Sequence, residues 1–210
     1  MKSIKLLTIL ICISTSISCG TFNKTSKIDS KTGYFPAKKN KAVTVIKEEK
    51  ISKDILKKLI IVPNDEYTLE MVKNLNFFDK IMTFEEFQKD IISKNLEDKI
   101  PSVSDRIGLK NAYNHYGSFV ILHFTKERKE TNNNTSLYTG ISIYDPSKAD
   151  FIYQNEIYVN LMWDGWTDQG TMYPLYNSLI DYLNKQEKKL LLTAVCFNGY
   201  FRIFLRKIRC

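Results

Sequence analysis

Residues 119–124 read Phe-Val-Ile-Leu-His-Phe, from Phe119 to Phe124, and His123 alone breaks an otherwise apolar run. A strand with one dry and one wet face alternates in character, whereas a strand covered on both faces shows a continuous apolar run. Phe119–Phe124 therefore predicts a central strand with a layer on each side. Leu59–Val62 is a second run of this kind, ended by Pro63, Asn64 and Asp65. Both imply helices packed against a sheet.

The sequence before the central strand supplies those helices. Asn64 is placed to cap a helix carrying Leu69, Val72 and Leu75, with Asp65 and Glu66 in its first turn. Asp79–Met82 reads as a short strand. Thr83 and Glu86 have the spacing of a capping box, in which each side chain meets the other's backbone amide, and Phe84, Phe87, Ile91 and Ile92 follow as its apolar stripe. After the Pro101 linker, Ser104 would cap a helix over Asp105–Tyr116, packed through Ile107, Ala112 and Tyr113 and closed by Gly117.

Beyond the central strand, residues 126–136 combine charged groups with three consecutive asparagines and read as an exposed loop. Leu137–Tyr144 and Phe151–Leu161 then form strands around the Asp145-Pro146 turn. In the second, Phe151, Tyr153, Ile157, Val159 and Leu161 share a face interrupted by Asn155, while Gln154, Glu156 and Asn160 face the other way. Pro174 opens a last helix with Leu175, Tyr176, Leu179, Ile180 and Leu183 as its stripe. Leu190–Phe197 and Tyr200–Ile208 flank Asn198-Gly199, the preferred pair for a two-residue turn, and predict a C-terminal β-hairpin. The fold class is α/β or α+β: a single layered domain over residues 50–210 with a mixed β-sheet flanked by helices.

Chemistry-bearing residues concentrate in Met162–Tyr173, which contains Trp163, Asp164, Trp166 and Asp168. Two indoles in a glycine-containing loop suit a platform for a sugar ring, a peptide or a protein. The bland reading has an indole plugging the core and the aspartates capping turns. Asp164 and Asp168 offer too few oxygens for a calcium loop, and no metal ligand set or cofactor motif occurs elsewhere. Only His115 and His123 are available as imidazoles. No phosphate-cradling glycine loop, nucleophile elbow or His-Glu-x-x-His motif is present. An Asp164–Asp168 hydrolytic pair remains open.

The N-terminus specifies an address. Lys2 and Lys5 precede the apolar run Leu6–Ile13, which is well short of the roughly 20 residues needed to span a bilayer. The run closes on Ser16-Ile17-Ser18-Cys19. This resembles the lipobox of bacterial lipoproteins, with Ser16 where an aliphatic residue is usual; the other reading is an ordinary secretory signal. The resemblance implies a signal peptide over 1–18 and cleavage after Ser18. It also implies a diacylglycerol on the Cys19 thiol, making membrane lipid the first partner. Residues 19–49, poor in large apolar groups, read as the lipidated cysteine and a flexible tether, although Lys38–Ile46 contains a candidate strand.

The chain has 31 Lys plus Arg against 23 Asp plus Glu; losing Lys2 and Lys5 leaves 29 − 23 = +6. Dispersed among acids, that excess suits a surface near anionic lipid or cell-wall polymer rather than nucleic acid. Cys196 and Cys210, left once Cys12 and Cys19 are accounted for, permit one disulfide. The implied location is the bacterial cell envelope, on the periplasmic side of the outer membrane in a Gram-negative cell.

The order of elements is similar to that of small α/β periplasmic assembly lipoproteins, including penicillin-binding-protein activators and curli-secretion lipoproteins, without a functional residue to carry over. The function expected is non-enzymatic binding of another envelope protein or cell-wall component in support of an assembly. The alternatives are a glycan or cell-wall hydrolase and a glycan-binding module.

Overall fold

The computed structural model describes residues 25–38, 41–51, 53–62, 64–127, 136–163 and 167–186. Cys19, Asp164, Trp166, the expected C-terminal hairpin, Cys196 and Cys210 lie outside the described residues. The strands are β1 (Thr44–Glu48), β2 (Lys58–Val62), β3 (Lys80–Thr83), β4 (Val120–Glu127), β5 (Ser136–Asp145) and β6 (Asp150–Asn160). They form one mixed sheet in the order β1-β6-β5-β4-β2-β3. β3, β2 and β4 are parallel; β4, β5, β6 and β1 are antiparallel in turn. The helices are α1 (Glu66–Asn74), α2 (Phe84–Ser93), α3 (Arg106–Tyr116) and α4 (173–186).

Both apolar runs lie in the parallel half and are buried on both faces, as their composition requires. Leu59, Ile61, Val120 and Leu122 face a core closed by α1 and α4. Ile60 and Ile121 face a second core with Met82, Phe87, Ala112 and Tyr116, closed by α2 and α3. On the second face of β5, β6 and β1 no helix of the described residues packs in this way: Ile46, Thr125, Tyr138, Ser142, Gln154 and Glu156 border a shallow hollow of about 70 Å³.

Helix starts follow capping chemistry, with two shifts of one residue. Thr83 and Glu86 form the expected capping box, at 3.1 and 2.7 Å. For α1 the cap is Asp65 rather than Asn64, its carboxylate accepting from the Thr68 amide at 2.7 Å. For α3 it is Asp105 rather than Ser104, accepting from Gly108 at 2.7 Å, while the Ser104 hydroxyl is paired with Ser102 at 2.8 Å. In each case the carboxylate two residues before N2 reaches the orphan N3 amide, which the preceding residue is too far back to do. Ile107, expected in the core, is exposed; Ala112 and Tyr116 carry the packing of α3 instead.

A bulge corrects the face assignment in β6. Ile143 pairs with Tyr153 and Tyr144 with Phe151, so Ile152 is an extra residue. An extra residue reverses the phase of the pleat, placing Phe151 against the α2–α3 core while Tyr153, Ile157 and Val159 remain in the other. Asn155, the apparent interruption, is buried. Its Oδ1 accepts from the Ile141 amide at 2.9 Å, and its Nδ2 donates to the Tyr153 hydroxyl at 2.9 Å and the Leu175 carbonyl at 3.0 Å. One amide thus joins β5, β6 and α4. The backbone comes close there too: a Cβ on Gly140 would lie 1.9 Å from the Asn155 carbonyl oxygen.

The flexible tether expected over 19–49 is corrected over its described part. Phe35 is buried and stacks on Tyr173 at a centroid distance of 5.3 Å. The Asn177 side chain bonds both the amide and the carbonyl of Phe35, at 2.8 and 2.9 Å. Residues 44–48 are edge strand β1, which takes up the candidate strand. A single aromatic inserted between side chains, with backbone groups held by an amide, anchors a segment whose average composition is polar.

Candidate functional site

The loop after β6 divides into an exposed and a packed part. Asn160 closes the exposed part, its Oδ1 accepting from the amides of Met162 at 3.0 Å and Trp163 at 3.3 Å. This Asx turn leaves Leu161 38%, Met162 71% and Trp163 86% exposed. Tyr158 extends the apolar surface down the strand: its ring meets Tyr138 edge-on at 5.4 Å and its hydroxyl donates to Ser136 at 2.7 Å. Trp163 therefore does not plug the core.

The packed part begins at Thr167, whose hydroxyl accepts from Gly170 at 3.1 Å and starts a π-helical turn, Asp168–Met172, that runs into α4. Asp168 Oδ1 accepts from the Tyr67 hydroxyl at 2.8 Å. Burial, and then the Asp168 carboxylate, push the Tyr67 phenol far above its ordinary pKa. Asp168 is thus a tie between the start of α4 and the first turn of α1, whereas Trp163 faces solvent. Trp163 and Asp168, the two described members of the four residues singled out by sequence, do not share one environment.

The imidazoles form no catalytic constellation among the described groups. His115 is exposed near the end of α3. His123 is half-buried with Tyr144 and Phe151 edge-on at 6.4 and 6.0 Å, and burial lowers its pKa. Among the described residues, no group of three or more His, Cys, Asp or Glu side chains could hold a metal ion. A cleft of about 370 Å³ between α2 and the 97–104 loop is lined by Ile91, Ile92, Ile100, Pro101 and Val103, with Glu97 as its one charged group.

Sequence reasoning missed an ionic cluster at the opposite edge of the sheet. Asp90 accepts from the Tyr116 hydroxyl, and its Oδ2 meets Lys80 at 3.2 Å and Lys94 at 2.9 Å. The Tyr116 bond and then the Lys94 ammonium hold the Asp90 carboxyl well below the usual carboxylate range; burial opposes them and Lys80 adds to them. Burial and the neighbouring carboxylate push Tyr116 up. Lys58 and Lys94 also lie 4.1 and 4.2 Å from the Tyr116 ring centroid. The visible signal was Asp90–Lys94 at i, i+4; Lys58, Lys80 and Tyr116 come from three other elements.

Fold and site together define a layered α/β domain with an aromatic edge and an ionic edge, and without an assembled reaction centre among its described residues. No family model matches the chain, and no curated protein matches it. Among solved structures it is similar to a PelC variant dodecamer from Paraburkholderia phytofirmans, at 9% identity over 68% of this chain and 97% of that one, with a TM-score of 0.36. A second PelC dodecamer from the same organism matches at 5% identity over 57% of this chain and 80% of that one, with a TM-score of 0.27. Likeness at this level says nothing of function.

Proposed function

We propose that the chain is a lipid-anchored envelope lipoprotein that binds another envelope component, through the loop after β6, in support of an assembly. The observation that carries this reading is Trp163, an indole left 86% exposed beside Met162 and Leu161 on a turn fixed by Asn160. Large aromatic side chains held on rigid backbone give contact area at little entropic cost, which is why they recur as interface anchors. The Ser16–Cys19 stretch supplies the address, with membrane lipid bound through acylated Cys19. A hydrolase built on Asp164 and Asp168 is less well supported, because Asp168 already accepts the Tyr67 hydroxyl. An exposed indole also suits a sugar ring, which keeps the glycan-binding module as the second reading.

The test is crosslinking in the native cell followed by affinity recovery and mass spectrometry, comparing wild type with Trp163→Ala and Trp166→Ala. A dominant protein lost in Trp163→Ala supports the assembly reading. Identical recovery from all three forms, together with quenching of indole fluorescence by cell-wall glycan, would replace it with the glycan reading.

A further inference from the structure

The chain enters its described fold at one particular edge. β2 and β3 start together, with Lys58 paired to Lys80, while α1 and α2 run back to end at the same level. Thr25 lies here, buried, its hydroxyl oxygen accepting from Asn74 Nδ2 at the last residue of α1, at 3.3 Å. From Thr25 the segment is strapped across α4. The Ser26 amide donates to the Tyr173 hydroxyl at 3.0 Å, the Tyr34 hydroxyl donates to Asp181 at 2.5 Å, and Asn177 holds Phe35 at both backbone groups. The Lys38 amide ends the strap on the Gln169 carbonyl at 2.8 Å, at the far edge.

This geometry leaves a short leash. Cys19 and Thr25 are 25 − 19 = 6 residue steps apart. A fully extended chain covers at most about 3.6 Å per step, so about 22 Å separates the two Cα atoms at the limit. We infer that the edge carrying Thr25 and the starts of β2 and β3 rests on the phospholipid surface, with Trp163 directed away from it. This rests on the proposed lipidation of Cys19. β6 starts at the edge level with Thr25 and rises to Asn160 before the Trp163 turn, nine steps once the bulged Ile152 is set aside, or about 30 Å at the rise of an extended strand.

Lysines gather at this edge, beside the point where the anchored chain emerges. Lys27, Lys58, Lys73, Lys80 and Lys94 lie here, with Asp79 and Asp90 among them and Glu97 and Asp98 in the turn that follows α2. The β5–β6 turn reaches the same level with its charges matched, Lys47 and Lys148 meeting Glu49 and Asp150. The α1 and α2 C-termini add partial negative charge, which Lys73 and Lys94 offset. The named groups thus nearly balance, five lysines against four carboxylates, and what lies beside the emerging chain is the pair Lys27 and Lys73, close in sequence to the bonded Thr25 and Asn74. Basic side chains beside a lipid anchor are drawn to anionic headgroups, and the attraction fades within a Debye length of roughly 8 Å.

Lysine acetylation read by mass spectrometry tests the placement. Full-length protein purified from membranes is compared in phosphatidylethanolamine–phosphatidylglycerol vesicles and in neutral detergent, with the mass of the Cys19 peptide recorded. Lys27, Lys73 and Lys94 are expected to react several-fold more slowly on vesicles, with Lys41, at the far edge, unchanged. The Lys27→Glu/Lys73→Glu double variant should still float with vesicles but lose the protection of Lys94. Acylated protein that floats and yet reacts alike at both edges would overturn the placement while leaving the lipoprotein reading intact. An unmodified Cys19 peptide would overturn both.

Discussion

The two halves of the sheet solve burial differently. In β3-β2-β4, apolar layers lie on both faces and the sequence is apolar almost without pause. In β5-β6-β1, the only helix against the sheet among the described residues is α4, and the connection depends on a buried amide, Asn155, as well as on apolar contact. A half held by dispersed contacts loses stability in proportion to the volume removed. A half held at one polar node is sensitive to a single group, because unpaired buried donors and acceptors each cost about 1–3 kcal/mol.

That contrast sets an order of effects under urea denaturation. The largest is expected at Phe87→Ala. The ring is fully buried against Tyr116 and Phe119, with centroids at 5.0 and 4.9 Å, and its removal should cost about 3–5 kcal/mol. Asn155→Leu comes next, at about 2–4 kcal/mol, because the Ile141 amide and the Leu175 carbonyl lose their partner while burial is kept. A Leu substitution that left stability unchanged would mean that volume, not hydrogen bonding, holds α4 to this half. Gly140→Ala should approach the same loss by a different route, because the added carbon meets the Asn155 backbone and no flexible group can yield.

What the sequence made legible follows the same division. Both strands of continuous apolar character and the Thr83–Glu86 box were readable because their causes are local: burial on two faces, and a hydroxyl and a carboxylate three residues apart. The Ile152 bulge was hidden because two registers differ only in which partner residue is skipped, and a skipped residue moves Phe151 between cores without altering composition. The strap was hidden because Phe35 is one aromatic among polar neighbours and its partner, Asn177, lies 142 positions away. Of the candidate site, the exposed indole could be anticipated as one of two readings, but the role of Asp168 depended on Tyr67, 101 positions earlier. Sequence shows side-chain types well and long-range partners poorly.

Acid sharpens the comparison because the parallel half carries the most strongly depressed carboxyl. Asp90 binds its proton more weakly in the folded state than in the unfolded one. Its contribution is therefore present above the unfolded value, near 4, and is lost as pH falls toward the lower folded value. Asp90→Asn should remove that part of the acid slope while keeping an acceptor for Tyr116. Because the side chain is about a quarter exposed, the loss at neutral pH should stay near 1–2 kcal/mol. Glu49, partly exposed, and Asp150, exposed, are also depressed by their lysines and will leave a residual slope in the variant.

The smallest stability effect is expected where the functional effect is largest. Trp163 is 86% exposed, and its local hydrogen bond runs from its backbone to Asn160, not from its indole. Trp163→Ala should therefore change stability by less than about 0.5 kcal/mol. Recovery of the crosslinked partner, in contrast, should fall by an order of magnitude or more if the indole is an interface anchor. Asn160→Ala separates the indole from its presentation: it keeps the ring but frees the turn, and should weaken capture less than removing the ring. If Trp163→Ala instead cost well over 1 kcal/mol, the ring would be packing in the free protein, and its exposure would no longer be ground for a recognition surface. Near-neutral stability together with lost capture is the pair of results that a merely structural tryptophan cannot produce.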